Sequence, residues 1–367
     1  MPPHHDARVR VPYDELHSFV TRLFTEHGVP LERAITAASA LCHGDLCGFD
    51  SHGVFNLTRL YLRLFATDRV DATAEPEVVT DLGACAVVDA RRALGLWSAA
   101  EAMDDAVARA GRHGIGLVSV RGATHFGCAG FHASRAAAHG MVGVVASNCG
   151  GQRIARPPFG ALTMLGTNPL SVAAPALPDH PFVLDMSTTV VPTGKIRTAA
   201  SSGETIPEGW LADDAGNPVT DPAEFDRRTA HLRWLGGTPE NGVHKGFGLG
   251  LVVELLAALL PGAAFGPSPE ALHGDGGPHG RDDDIGFFVL AIAPDLLRPP
   301  GQFDVDAQTM FSTLLDCPSS GQDVRYPGWW EAERAAERLR DGVPIREHVH
   351  RELLELGLRG REPVAGR

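Results

Sequence analysis

The sequence predicts an α+β fold. Three observations predict it: helical periodicity at both ends of the chain, short β-type apolar runs between them, and no Gly-x-Gly-x-x-Gly turn of the kind that opens an alternating βαβ unit. From Tyr13 to about Phe65 the pattern is helical, with Leu16, Phe19, Val20, Leu23 and Phe24 on one face and a second run opened by Pro30 through Ala34, Ala37, Ala38 and Leu41. After Asp68 the character changes. Val78-Val79 and Ala86-Val87-Val88 read as strands, followed by an alanine-rich helix over about 98–110. Gly116 to Val120 and Met141 to Ser147 read as further strands with a helix from Gly130 to His139 between them, and both strands run into polar, glycine-flanked segments. Leu170 to Ala174 and Phe182 to Met186 complete this set as buried strands.

The stretch from about 201 to 241 is rich in Gly, Pro, Asp and Thr without periodicity, which predicts a long ordered excursion or lid in place of a packed element. Gly246 to Leu260 reads as an apolar helix interrupted by Glu254, Pro267 to Asp284 as a surface loop, and Ile285 to Ile292 as a strand. From Asp306 to Leu356 the pattern is helical again, consistent with the C-terminal part packing back onto the N-terminal helices.

Composition bounds the function. The 367 residues, 44% of them hydrophobic, suit two domains or one domain with a substantial insertion, and a net charge of −13 disfavours nucleic acid and anionic membrane as partners. Six singly placed cysteines, with no Cys-x-x-Cys, read as free thiols. The first residues lack the apolar core of a signal peptide and the 249–260 run is too short to span a bilayer, so a cytoplasmic location is expected. P-loop and Gly-x-Ser-x-Gly patterns are absent as well.

Two segments carry candidate acid/base chemistry. Asp50-Ser51-His52-Gly53-Val54 and Gly122-Ala123-Thr124-His125-Phe126-Gly127 each hold a histidine beside glycine, where backbone lets a ligand approach closely. Lys195 and Lys245, each a lone cation beside glycine, could anchor phosphate or carboxylate. The polar clusters Gly166-Thr167-Asn168-Pro169 and Asp185-Met186-Ser187-Thr188 are open to the alternative of ordinary turn chemistry.

The order of these words resembles one family. Asp-Ser-His-Gly-Val at 50–54, Thr-His-Phe-Gly at 124–127, Leu-Gly-Thr-Asn-Pro at 165–169, Leu-Asp-Met-Ser-Thr at 184–188 and Gly-Lys-Ile at 194–196 are similar to the type-2 malate/L-lactate dehydrogenases. So are Ile-Pro-Glu-Gly-Trp at 206–210, Gly-Asn-Pro-Val-Thr-Asp-Pro at 216–222, Leu-Gly-Gly at 235–237, His-Lys-Gly-Phe-Gly-Leu at 244–249 and Tyr-Pro-Gly at 326–328. The resemblance covers nearly the whole chain.

It implies an L-sulfolactate dehydrogenase-like, non-Rossmann fold: a helical domain from residues 1–75 with 306–367, a mixed-sheet cofactor domain over 76–305, and a homodimer. It further implies hydride transfer between NAD or NADP and C2 of a 2-oxo or 2-hydroxy carboxylic acid. A cyclic ketimine-2-carboxylate reductase of the piperideine or pyrroline type is the alternative within the enzyme class, and a redox-inactive family descendant that binds a nucleotide or metabolite as a sensor is the alternative of another class. Carried over by position, His125 is the general acid/base, working near neutral pH without a large pKa shift, and His52 with Ser51 belongs to the substrate pocket. Gly166, Thr167, Asn168, Asp185, Ser187, Lys195, Lys245, Pro327 and Gly328 fall around the dinucleotide.

Three departures concern the substrate. Asn56 stands where the family commonly has Arg, Leu60 where it has Tyr, with Tyr61 displaced by one, and Trp329 where it has Glu. If the segment after Gly53 is helical, Asn56 shares the face of His52 and the change removes a bidentate carboxylate partner. Arg59, one turn further on, is the expected replacement and implies a larger or differently placed anionic substrate than pyruvate or oxaloacetate.

Overall fold

The computed structural model describes residues 8–273 and 283–359; residues 274–282 of the expected surface loop lie outside the described residues. The N-terminal part consists of β1 (Arg8–Val11), α1 (Tyr13–Glu26), α2 (Leu31–Cys47) and α3 (Leu62–Ala66). A 3-10 turn at Asp50–His52 and a π-helical turn at Leu57–Tyr61 link α2 to α3. The apolar face read from the sequence of α1 is the buried one: Leu16, Phe19, Val20, Leu23 and Phe24.

The middle of the chain gives β2 (Glu77–Asp81), β3 (Cys85–Asp89), α4 (Gly95–His113), β4 (Ile115–Ala123), α5 (Ala129–Ala137), β5 (Val142–Ser147), β6 (Leu170–Leu177), β7 (His180–Met186) and α6 (Thr193–Ser202). Then come the two-residue strands β8 (Leu211–Ala212) and β9 (Pro218–Val219), α7 (Ala223–Asp226), β10 (His231–Leu232), α8 (Val243–Val253) with a π-helical continuation over Glu254–Leu259, and β11 (Ile285–Ile292). The chain continues through α9 (Pro294–Leu297), α10 (Gln302–Leu315), α11 (Trp329–Asp341), β12 (Val343–Arg346) and α12 (Glu347–Glu355).

Seven strands form one mixed sheet in the order β2-β3-β4-β11-β5-β6-β7, so the fold is α+β. Only the β3–β4 pair is parallel. β11 enters late in the chain but lies at the centre, with α4 packed against it and the 254–259 turn contacting it as well, which explains its near-continuous apolar sequence. Because β4 and β5 both run antiparallel to β11, and β7 is two antiparallel steps from β5, the C-terminal ends of β4, β5 and β7 share one edge of the sheet. Those ends lead into His125, Asn148 and Ser187.

Two expectations are corrected here. The stretch over 201–241 is a packed element: β8, β9 and β10 form a small sheet, and Ile206, Leu211, Phe225 and Leu232 build a separate apolar cluster with Ile154, Val191 and Ile196. Its apolar residues are too sparsely spaced to show a period. The C-terminal stretch is not continuously helical, because β12 interrupts it and pairs antiparallel with β1. Within that stretch α10 lies on β6, with Phe311 and Ala307 beside Ala176, whereas α11 packs on α2 and α12 on β1. A boundary at residue 306 therefore falls inside a helix that packs on the sheet. No two of the six cysteines pair, and no helix among the described residues is long and apolar enough to cross a membrane.

Candidate active site

The shared sheet edge, the Asp50–His52 turn and the first turn of α6 enclose a cleft of about 790 Å³. That volume falls in the range typical of small-molecule and cofactor sites. Ser51, His52, His125, Thr167, Asp185, Ser187 and Lys195 all line it.

The two histidines face each other, their ring centroids 6.0 Å apart and the planes inclined by 28°. His52 is set by its neighbour, with Ser51 Oγ 3.0 Å from Nδ1. Asp45, buried beneath the turn, accepts the Val54 backbone N–H at 2.7 Å and so pins the chain just after Gly53. His125 is held from behind: Tyr61 Oη lies 2.8 Å from its Nδ1, and the Gly127 N–H donates to the same nitrogen at 3.2 Å. Neither Nε2 has a hydrogen-bond partner among the described residues. Burial lowers both imidazoles to about 4, with the neighbouring His125 adding to the shift at His52. The expectation of no large pKa shift at His125 is thus corrected: burial of the ring favours its neutral form.

Several of the expected residues also hold the walls of the cleft together. Asp185 accepts the Gly130 N–H at 2.7 Å, docking the first turn of α5 onto the end of β7, and burial raises its carboxyl to about 6. Gly166 backs against Cys149, where a Cβ would stand 2.4 Å from Sγ. Asn168, fully buried with φ of 43°, donates to Gly250 O at 2.9 Å and Glu254 Oε1 at 3.0 Å and ties the Thr167 loop to α8. Pro327 O accepts the Val183 N–H and Gly328 seats the start of α11 against β7. Lys245 is exposed in the first turn of α8 and is not among the cleft-lining residues.

The helix-face argument for Asn56 and Arg59 does not hold in the structure. Gly53 adopts an extended conformation between the 3-10 turn and the next helical turn, so His52 and Asn56 do not share a helix face. The Asn56 amide donates to Ser51 O at 2.8 Å and braces the turn. Arg59 forms a bidentate pair with Glu352 of α12, at 2.9 and 3.1 Å, lies over the Phe55 ring at 4.1 Å, and lines a different cavity. Leu60 lines that second cavity too, and Trp329 stacks on His180 at 4.0 Å outside the cleft. The cleft's cations are Lys195 and the arginines Arg8, Arg334, Arg338 and Arg346, of which Arg8 and Arg338 pair with Asp50 and Arg334 with Glu331 in the same lining.

Sequence reasoning placed no role on Tyr61, Asp45 or Glu254. Tyr61 was visible as a displaced tyrosine; the π-helical turn, closed by the Leu62 N–H to Leu57 O bond, takes up one extra residue and turns Tyr61 inward. Glu254, which breaks the apolar run in the sequence, is buried and accepts from Asn148 and Asn168.

A family model described as malate/L-lactate dehydrogenase matches residues 11–354. The chain belongs to the malate/L-lactate dehydrogenase family. It is 33% identical over 356 residues to a malate dehydrogenase of Pyrococcus abyssi, covering 96% of this chain and 95% of that one. Its fold matches the crystal structure of malate dehydrogenase from Entamoeba histolytica with a TM-score of 0.89 at 27% identity, over 98% of this chain and 100% of that one. The delta1-piperideine-2-carboxylate reductase from Pseudomonas syringae pv. tomato matches with a TM-score of 0.81 at 27% identity, covering 95% and 100% of the two chains. As a member of the malate/L-lactate dehydrogenase family, the protein is an oxidoreductase acting on CH–OH groups, on a sheet that carries no glycine-rich dinucleotide turn.

Proposed function

We propose that the protein transfers hydride between NAD or NADP and C2 of a 2-hydroxy or 2-oxo carboxylic acid, with His125 exchanging the accompanying proton at Nε2. The observation that carries this reading is the pair of Nε2 atoms on His52 and His125, both without a partner among the described residues, in one cleft with the first turn of α6.

The residues present suit a dinucleotide. α6 starts at Thr193 with its N-terminal turn on the cleft, a place where backbone N–H groups and the helix dipole favour a diphosphate. Lys195 lies in that turn, and among the described residues it has no ion-pair partner; its Nζ lies 5.9 Å from the Trp210 ring centroid. Thr167 and Ser187 line the same wall and offer hydroxyls to a ribose. When bound, the nicotinamide supplies or takes the hydride at C2. The chain's own part is to hold the substrate oxygen against His125 Nε2, to exclude water from the ring, and to balance the substrate's carboxylate with the cleft's cations.

Lys195→Ala is expected to raise the dinucleotide Kd by roughly 10-fold, the lower end of what a charge-assisted hydrogen bond contributes, with a smaller effect on the rate at saturating dinucleotide. Lys245→Ala serves as the comparison and should leave Kd near wild type. Calorimetry giving equal Kd for Lys195→Ala and wild type would remove Lys195 from the binding surface.

The reading itself is tested by following reduced-nicotinamide absorbance with NADH and NADPH against pyruvate, oxaloacetate, 3-sulfopyruvate and Δ1-piperideine-2-carboxylate. Turnover of a 2-oxo acid is the expected result, and no turnover with any of the four would overturn it. Preferential turnover of the cyclic imine would favour the second reading, which the fold match to the piperideine-2-carboxylate reductase supports.

A further inference from the structure

We propose that Tyr61 is the residue that lets His125 change its protonation state, acting through Nδ1 as a positioning residue for the reaction proposed above, on which this inference rests. The geometry at Nδ1 sets the problem. The Gly127 amide donates to that nitrogen at 3.2 Å, and an amide N–H can only donate. Alone, it holds Nδ1 unprotonated and places the single proton of the neutral ring on Nε2. An imidazole held that way presents a donor to the cleft and has no lone pair at Nε2 for a substrate hydroxyl proton.

The Tyr61 hydroxyl, 2.8 Å from Nδ1, removes that restriction because it both donates and accepts. With Nδ1 bare, the hydroxyl donates to it. With Nδ1 protonated, the hydroxyl oxygen accepts from it. In alcohol oxidation the substrate hydroxyl proton moves to Nε2 of the Nδ1–H tautomer, and the imidazolium that forms keeps its Nδ1–H on Tyr61; in reduction the imidazolium returns the Nε2 proton to the substrate oxygen. Tyr61 itself gains and loses no net proton.

The structure holds Tyr61 for this position. Its side chain is fully buried, its ring is edge-on to Phe24 with centroids 6.4 Å apart, and the π-helical turn over Leu57–Tyr61 directs it inward. Among the described residues, the imidazoles near His125 are His52, stacked beside it, and His132, and burial keeps them neutral down to about 4 and about 3; the shared cleft also carries Asp50, Asp185, Glu331, Lys195 and the four arginines. Neither imidazole contacts Nδ1. No other described side chain hydrogen-bonds that nitrogen.

The test compares wild type with Tyr61→Phe, which keeps the buried ring, in protein carrying 15N-labelled histidine, with His125 assigned by its loss in His125→Gln. Wild-type His125 is expected to populate both tautomers and to carry a proton on each nitrogen on acidification. In Tyr61→Phe it should be confined to the Nε2–H form and protonate at lower pH, with kcat reduced roughly 10-fold or more and the Kd for NADH unchanged. Identical tautomer populations and titrations in the two proteins would overturn the proposal. So would a wild-type His125 held in the Nε2–H form alone, a result that needs no variant to fold. A wild type inactive on every substrate would defeat the reaction and leave the tautomer measurement standing, whereas an active wild type matched by Tyr61→Phe defeats only the role of Tyr61.

Discussion

Replacing His125 with alanine is expected to lower kcat by roughly 100-fold or more while leaving dinucleotide affinity near wild type, because a positioned proton donor contributes on that order in the transition state. Among the described residues the ring meets the cleft with no partner at Nε2, and its loss removes no hydrogen bond from the wall formed by α6 and Lys195. Steady-state kinetics together with calorimetric titration of NADH separate the two effects. A variant that kept near-wild-type kcat would move the acid/base role to His52, the only other cleft-facing imidazole among the described residues.

Gly95→Ala is expected to damage both stability and activity although residue 95 lies outside the cleft. Gly95 begins α4 directly beneath the segment that leaves β4, and its N–H donates to Thr124 Oγ1 at 2.9 Å. A Cβ there would stand 2.0 Å from Thr124 O and 2.6 Å from His125 O, both of them backbone atoms with no rotamer to yield. The segment carrying His125 must shift. Overpacking of this kind costs ~1–3 kcal/mol, and a displacement near 1 Å at a reacting group lowers turnover on the order of 100-fold. Gly111→Ala supplies the contrast within the same helix: nothing lies within 4 Å of its Cβ position, so alanine should be neutral or stabilising by a few tenths of a kcal/mol. Equal Tm and kcat for Gly95→Ala and Gly111→Ala would contradict this account.

Much of the fold is legible in the sequence where a single physical signal dominates. The α1 face and the apolar runs of β4, β5 and β11 each carry a period or a length that admits one reading. β1 and β12 escape such reading because each has four residues with arginine among them, and their partner lies at the far end of the chain. The cleft histidines were legible through their glycine-flanked segments. The helix-face argument for Asn56 and Arg59 failed at Gly53, whose extended backbone breaks the register on which it depended. Tyr61 was hidden for a related reason: a π-helical turn changes which side chains point inward, and no residue type announces one.

The pairing of β1 with β12 bears on when the enzyme comes into being. Arg8 and Arg346 are partners in that ladder and both border the cleft, as do Arg334 and Arg338 of α11. A chain emerging from the ribosome carries both histidines and Lys195 well before it carries α11 and β12. Until those segments are delivered, one bank of the cleft is missing and Arg8 has no strand to lie against. Competence therefore waits until α11 and β12 have been made, and a proteolytic cut ahead of α11 is expected to lower activity and not merely to trim the chain.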